Sequence, residues 1–306
     1  MRMNDPLSQS TPPNGPKYHN PEEASRIYLF PNLFTAGNML CGFLSIHSCI
    51  LAKYSDPALA NGLYQRAVYF ILGACICDLF DGRIARTFKR ESLFGAEFDS
   101  IADTVSFGVA PALMVFFLIL NPNPEANLGW IGETGRNFGW VFAFIYLLCV
   151  GIRLARFNVL TNPLVPGNEN KKPSGEFVGL PSPTAAGMIA SLVLLLTHAN
   201  LSEHNLRNLT TLLLPLVLLI SYLMVSNIRY PSFKHINWNT RLKAQVFILV
   251  IILLLLSISY FNYVIPGLFL AFILNGLLYT ARKKYFPKKN ADGSPHLDEN
   301  NLDEEF

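Results

Sequence analysis

Long apolar segments alternate with short polar stretches over most of this chain. Eight of these segments approach the roughly 20 residues that a helix needs to cross a bilayer. They predict membrane-spanning helices near residues 31–52, 64–86, 99–120, 138–156, 183–199, 209–226, 245–261 and 264–281. Residues 1–25 and 285–306 are polar, so we expect a disordered tail at each end.

The composition agrees with this pattern. Of the 306 residues, 51% are hydrophobic and only 15% are charged, whereas soluble domains carry about 25% charged residues. The chain is therefore predicted to be an all-α polytopic membrane protein with about eight transmembrane helices. The net charge of only +3 says little about partners; we expect membrane lipids and no nucleic acid.

The lysine and arginine residues orient the predicted helices, because cytoplasmic loops are enriched in both. With the N-terminus in the cytoplasm and eight alternating spans, most of the 24 basic residues lie on the cytoplasmic side. The other side receives only Lys53, Arg66, Arg136 and Arg207. We therefore expect both termini in the cytoplasm of a bacterial-type inner membrane.

Four aspartates interrupt the second and third apolar segments. Asp78 and Asp81 lie near the cytoplasmic end of the second segment, and Asp99 and Asp103 lie at the start of the third. A carboxylate inside a bilayer is costly and by default marks a functional site. The spacings i, i+3 and i, i+4 place each pair on one face of its helix.

The two aspartate pairs are expected to face one cleft at the cytoplasmic membrane surface. The loop between their helices has about a dozen residues, which predicts antiparallel neighbours. Four carboxylates close together carry only negative charge and therefore require cations. Their oxygen ligands suit one or two hard divalent ions such as Mg²⁺ or Mn²⁺. Two ions about 4 Å apart are suited to holding phosphate oxygens during a transfer reaction.

The spacing of these residues resembles a known family signature. The pattern D-x2-D-G-x2-A-R-x8-G-x3-D-x3-D is typical of the CDP-alcohol phosphotransferases, and this chain matches every fixed position. Those positions are Asp78, Asp81, Gly82, Ala85, Arg86, Gly95, Asp99 and Asp103. Segments 97–111, 151–158, 179–183 and 226–232 further resemble the integral-membrane phosphatidylserine synthases within that family.

The resemblance covers about residues 27–235, which implies a catalytic core over 26–235 and two additional helices over 236–284. It implies a helical membrane enzyme, and suggests a homodimer, that moves the phosphatidyl group of CDP-diacylglycerol to the hydroxyl of L-serine and releases CMP. It also implies metal binding by the four aspartates, with Asp103 as the general base on the acceptor hydroxyl.

The signature and the first apolar segment together are expected to bind the CDP-lipid. Arg86 supplies positive charge for the diphosphate, and two glycines leave room for the nucleotide. Two neutral polar side chains of the first segment lie at the same membrane depth. The expected contacts are Asn32, Thr35, Asp78, Gly82, Ala85, Arg86 and Gly95.

Three arginines are candidates for an anion site. Arg153 and Arg156 are three residues apart and share a helix face, which suits a serine carboxylate or a phosphate. The alternative is a pair of basic anchors that extend to the lipid headgroups. For Arg229, at the end of the sixth segment, the two interpretations carry equal weight.

Two other functions stay open at this stage. The same chemistry with glycerol 3-phosphate or inositol phosphate needs extra cationic residues, and the three arginines are available for that role. A divalent-cation transporter would use the aspartates as a site at the bilayer centre, between repeated halves. The aspartates lie instead at the ends of two adjacent spans, which makes the transporter the weaker hypothesis.

Overall fold

The computed structural model describes residues 29–87, 93–120, 129–161, 176–198, 203–231 and 260–285. Within these ranges the chain forms eight α-helices, two π-helical turns and two short strands. The helices are α1 (Leu29–Tyr54), α2 (Pro57–Thr87), α3 (Leu93–Asp103), α4 (Ala110–Val115), α5 (Gly129–Thr161), α6 (Ser182–His198), α7 (Glu203–Val225) and α8 (Phe261–Tyr285).

The predicted all-α membrane fold is confirmed. Among the described residues, five helical stretches are long and apolar enough to cross a membrane: Asn32–Tyr54, Leu59–Arg83, Leu93–Leu118, Phe138–Leu160 and Phe261–Arg282. Two shorter apolar helices, Ser182–His198 and Leu214–Val225, coincide with the fifth and sixth predicted spans. The seventh span and both tails lie almost wholly outside the described residues, so the count of eight stays a prediction.

One continuous helical rod carries Asp99 and Asp103. It consists of α3, a π-helical turn over Thr104–Val109, α4, and a second π-helical turn over Phe116–Leu120. Pro111 has no N–H to offer the carbonyl of Phe107, its usual α-helical partner. The Tyr146 hydroxyl on α5 donates to that carbonyl instead, at 2.8 Å. The irregular turn beyond the aspartates is therefore attached to α5.

Helix α1 packs along α2 and also against the first π-helical turn. The approach is close at Gly42, where an added Cβ would lie 2.7 Å from the Cα of Ser106. The Ser106 hydroxyl donates to the Asn38 carbonyl at 2.8 Å. Small residues allow such backbone contact between membrane helices, and here they bring α1 beside the aspartates.

Helix α6 is largely buried within the described bundle. Every residue from Ala185 to Ser191 is buried, as expected for a helix that is apolar on all sides. It packs against α2 on one side and α8 on the other. Its neighbour α5 packs against α7, so α6 lies between the aspartate-bearing helices and the C-terminal part of the chain.

A short ladder determines where α6 begins. Strand β1 (Glu176–Val178) pairs antiparallel with β2 (Arg229–Pro231). Gly179 follows with a φ of 79°, a conformation that glycine adopts readily, and its N–H donates to the Ile228 carbonyl at 2.8 Å. The Thr280 hydroxyl of α8 contacts both the N–H and the carbonyl of Arg229 at 3.0 Å. The last helix is therefore attached to the same ladder.

Candidate active site

Helices α2 and α3 bring three of the four predicted metal ligands together. One carboxylate oxygen from each of Asp78, Asp99 and Asp103 lies within 4.8 Å of the other two. Asp103 is buried, and the other two are partly buried. Negative charges at this separation repel one another, and a cation between them would offset that repulsion. The helical spacing in the sequence predicted this convergence.

Asp81 lies beside these three carboxylates. It is buried, and its carboxylate accepts hydrogen bonds from the Thr35 hydroxyl at 3.3 Å and from the N–H of Gly82. It also lies close enough to Asp99 for the two carboxylates to influence each other electrostatically. Thr35, which we expected to contact the CDP-lipid, therefore holds an aspartate. The role of Asp81 as a metal ligand stays a prediction.

The residues present fit a divalent cation. Oδ1 of Asp99 is buried and has no hydrogen-bond partner among the described residues, and a buried anionic oxygen without a partner is costly. A cation held between the carboxylates would compensate that oxygen. A donor set made only of carboxylate oxygens suits hard ions such as Mg²⁺ and Mn²⁺. The family to which this signature points is metal-dependent in general, and the geometry agrees with that dependence.

Asn38 is a site residue that the sequence analysis missed. It is fully buried on α1, and its Nδ2 donates to Oδ1 of Asp103 at 3.0 Å. Asn32, Thr35 and Asn38 recur every three residues and form a polar stripe in the first half of α1, between apolar residues. This three-residue spacing is the sequence feature that could have indicated a polar helix face directed at the aspartates. Two of the three contact an aspartate, and Nδ2 of Asn32 is buried without a partner in the described part of the chain.

A second contact attaches the aspartate-bearing rod to α5. The Ser100 hydroxyl and the Asn158 side-chain amide contact each other at 2.9 to 3.1 Å. Ser100 directly follows Asp99, so this contact restricts the rotation of α3 about its axis. Together with the hydrogen bond between Tyr146 and Phe107, it attaches the rod to α5 at two positions along its length.

Arg153, one of the predicted anion-binding arginines, lies close enough to the aspartates to be influenced by their charge. Its guanidinium is attracted by Asp103 and Asp78 and lies over the Phe157 ring, 5.9 Å from the ring centroid. Nη1 donates to the Ser182 hydroxyl at 2.7 Å. A cation beside this anionic site is therefore oriented by a residue at the start of α6.

The other two arginines have contacts elsewhere. Arg156 is exposed, and its Nη2 donates to Oδ1 of Asn227 at 2.9 Å, which connects α5 to the segment after α7. Arg229 lies in β2, and its backbone contacts Thr280. A direct role for either side chain in anion binding stays a prediction.

The remaining predicted CDP-lipid contacts lie close to the aspartates in sequence. Gly82 follows Asp81 on α2, and Gly95 lies one turn before Asp99 on α3. Ala85 and Arg86 belong to the last turns of α2, but their side chains lie outside the described part of the structure. Their contacts with the lipid stay predictions.

Comparison with known proteins yields consistent matches. The family described as CDP-alcohol phosphatidyltransferase matches residues 28–221. The chain is 36% identical over 228 residues to the CDP-diacylglycerol–serine O-phosphatidyltransferase of Helicobacter pylori, covering 74% of this chain and 81% of that protein. The enzyme of that name in Bacillus subtilis is 33% identical over 209 residues, covering 67% and 90%. The one in Saccharomyces cerevisiae is 36% identical over 155 residues, covering 51% and 50%.

Proposed function

We propose that this chain, which belongs to the CDP-alcohol phosphatidyltransferase family, transfers the phosphatidyl group of CDP-diacylglycerol to L-serine. The products are phosphatidylserine and CMP. The observation that carries the proposal is the convergence of Asp78, Asp99 and Asp103 within the signature that this family shares. The relatives named for this reaction support L-serine as the acceptor.

Asp103 acts as the general base. The serine hydroxyl oxygen attacks the phosphorus of the phosphatidyl group, the P–O bond to CMP breaks, and the hydroxyl proton passes to the Asp103 carboxylate. A serine hydroxyl is a weak nucleophile at neutral pH and needs a positioned base. The Asn38 amide, 3.0 Å from Oδ1, orients this carboxylate.

Asp78, Asp81, Asp99 and Asp103 would hold the divalent metal, as two Mg²⁺ or Mn²⁺ ions. Bound there, the metal supplies positive charge to the oxygens of the diphosphate. Thr35 and Gly82 orient Asp81 by hydrogen bonds. Removal of divalent ions with a chelator should stop CMP release, and added Mg²⁺ or Mn²⁺ should restore it.

The CDP-lipid lies with its acyl chains in the bilayer and its nucleotide at the cytoplasmic face. Arg86 provides positive charge for the diphosphate, and Gly82 and Gly95 leave space for the nucleotide. Asn32 contributes a neutral polar contact, since its Nδ2 is buried and has no partner in the described ranges.

The acceptor lies beside α5, next to Arg153. Arg153 carries the positive charge there, and its attraction to Asp103 and Asp78 supports a position next to the reacting hydroxyl. A carboxylate bound to Arg153 would bring the serine hydroxyl, two carbon atoms away, to the general base.

The protein lies in a bacterial-type cytoplasmic membrane with both termini and the active site on the cytoplasmic side. The distribution of basic residues supports this orientation. Reporter fusions at each terminus test it. The homodimer implied by the family resemblance is tested by native mass spectrometry of the protein in detergent.

The acceptor assay decides the reaction. Purified protein receives CDP-diacylglycerol and Mg²⁺ or Mn²⁺, together with L-serine, glycerol 3-phosphate or inositol phosphate in separate reactions. We expect CMP and phosphatidylserine with L-serine alone. CMP release only with a phosphorylated alcohol would assign another acceptor, and no CMP release with any acceptor would overturn the transferase.

A further inference from the structure

We infer that Ser182 is a positioning residue that orients the Arg153 guanidinium to receive the α-carboxylate of the acceptor amino acid. This inference rests on the proposed function and adds the residue that determines how the acceptor is recognised. Ser182 is fully buried at the first position of α6. Its hydroxyl accepts a hydrogen bond from Nη1 of Arg153 at 2.7 Å.

The choice of nitrogen matters, because the guanidinium is planar and its edges differ. Nη1 lies on the same side as the Cδ atom, and the other edge presents the N–H bonds of Nε and Nη2 in parallel. That edge matches the two oxygens of a carboxylate. Ser182 occupies Nη1 and so leaves the two-donor edge unused.

The unused edge makes no hydrogen bond in the described part of the chain. Nε of Arg153 is buried without a hydrogen-bond partner there, and among the described residues this guanidinium donates only through Nη1, to Ser182. A buried guanidinium N–H without an acceptor is costly. A ligand with two adjacent anionic oxygens would compensate this cost, which points to a carboxylate.

Two contacts restrain Arg153 in this orientation. Its Cζ lies over the Phe157 ring, 5.9 Å from the ring centroid, and Nη1 donates to the Ser182 hydroxyl; the nearby charges of Asp103 and Asp78 also attract the guanidinium. The position of Ser182 is itself constrained by the turn at Gly179, where an added Cβ would collide with the Met224 carbonyl. The β1–β2 ladder and the turn at Gly179 therefore determine the position of Ser182 and, through it, the orientation of Arg153.

The test compares two serine-to-alanine variants of α6. Ser182→Ala removes the partner of Arg153, whereas Ser191→Ala removes an equally buried hydroxyl that donates to its own helix at Met188. We expect Ser182→Ala to raise the KM for L-serine about tenfold, with kcat and the KM for CDP-diacylglycerol within twofold of wild type. Ser191→Ala should leave all three values within twofold.

A double-mutant cycle with Arg153→Lys separates positioning from general stability. Lysine keeps the charge and loses the two-donor edge, so Ser182→Ala should add little to the KM for L-serine in that background. Ser182→Thr, which keeps the hydroxyl, should restore a KM near that of wild type.

Several outcomes would overturn the inference while the wild-type protein still makes phosphatidylserine. One is an unchanged KM for L-serine in Ser182→Ala, and another is a rise in the KM for CDP-diacylglycerol, which would assign Arg153 to the lipid phosphate. If Ser182→Ala does not fold, Arg153→Lys provides the test. An unchanged KM for L-serine in that variant would show that Arg153 does not bind the acceptor carboxylate. Wild-type protein that is inactive with L-serine would instead refute the proposed function.

Discussion

The Nδ2 atom of Asn38 donates to Oδ1 of Asp103 at 3.0 Å, across the contact between α1 and the aspartate-bearing rod. The bond joins residues 65 positions apart, and both side chains are buried. A carboxylate that removes a proton must present one oxygen in a defined direction. Asn38 provides that direction from a helix that carries none of the four aspartates.

Substitution of Asn38 by alanine should lower kcat by about 10- to 100-fold, the usual cost of removing a partner that orients a site ligand. The KM for CDP-diacylglycerol should change little, because the amide contacts the base rather than the lipid. Ser45→Ala is the matched control, since Ser45 is also buried on α1 and donates to the Ala67 carbonyl at 3.0 Å. Equal losses of kcat in the two variants would argue against an orienting role.

Asp103→Asn tests the general base directly. The amide keeps the size of the side chain and cannot take a proton, so turnover should fall by about 10²- to 10⁴-fold. Binding of CDP-diacylglycerol, measured by calorimetry or fluorescence titration, should largely survive. Asp56→Asn, at an exposed position between α1 and α2, should behave like wild type. A near-normal rate for Asp103→Asn would assign the base to another group.

The aspartates could be predicted from the sequence, whereas their supporting residues could not. Four aspartates at helical spacing inside apolar segments are costly in a membrane and therefore indicate a functional site. The loop between their helices is short enough to predict that the two helices are in contact. Asn38 and Ser182 depend on how α1 and α6 rotate against distant helices. The sequence shows polar residues there but not their partners, since hydrogen bonds between helices join residues far apart in the chain.

The π-helical turns also could not be predicted from the periodicity of apolar residues. Residues 99–120 form one largely apolar segment with a single proline, Pro111, which predicts a helix without showing how its hydrogen bonds change. Within this turn the Phe107 carbonyl accepts a hydrogen bond from the Tyr146 hydroxyl, 39 residues further along the chain, and periodicity does not show such a partner. The boundaries also differed, because α3 begins at Leu93 and α5 at Gly129, several residues before the predicted spans.

Gly42→Ala should destabilise the protein and reduce its activity. The new Cβ would lie 2.7 Å from the backbone Cα of Ser106, three residues after the general base. Backbone cannot yield as a flexible side chain does, so we expect a loss of about 1–3 kcal/mol. Thermal unfolding in detergent and the rate of CMP release measure the two effects.

The control for Gly42→Ala is Gly62→Ala on α2, where an added Cβ would meet no atom within 4 Å. This substitution should leave the activity unchanged and keep or raise the melting temperature, since alanine favours the helix. If the two variants were equally stable, α1 would not pack as closely on the rod as the structure indicates.

Tyr146→Phe should lower stability without removing any group that touches the substrates. The Phe107 carbonyl, which Pro111 cannot serve, would lose its hydrogen bond from the Tyr146 hydroxyl inside a buried cluster. An unsatisfied buried carbonyl costs about 1–3 kcal/mol, which thermal unfolding in detergent would detect as a lower melting temperature.

Tyr222→Phe, at an exposed position on α7, is the matched control and should melt like wild type. The KM values of Tyr146→Phe for both substrates should stay near those of wild type, because the aspartates keep their contacts with Asn38 and Thr35. A melting temperature equal to that of the control would mean that the π-helical turn satisfies its carbonyl without α5.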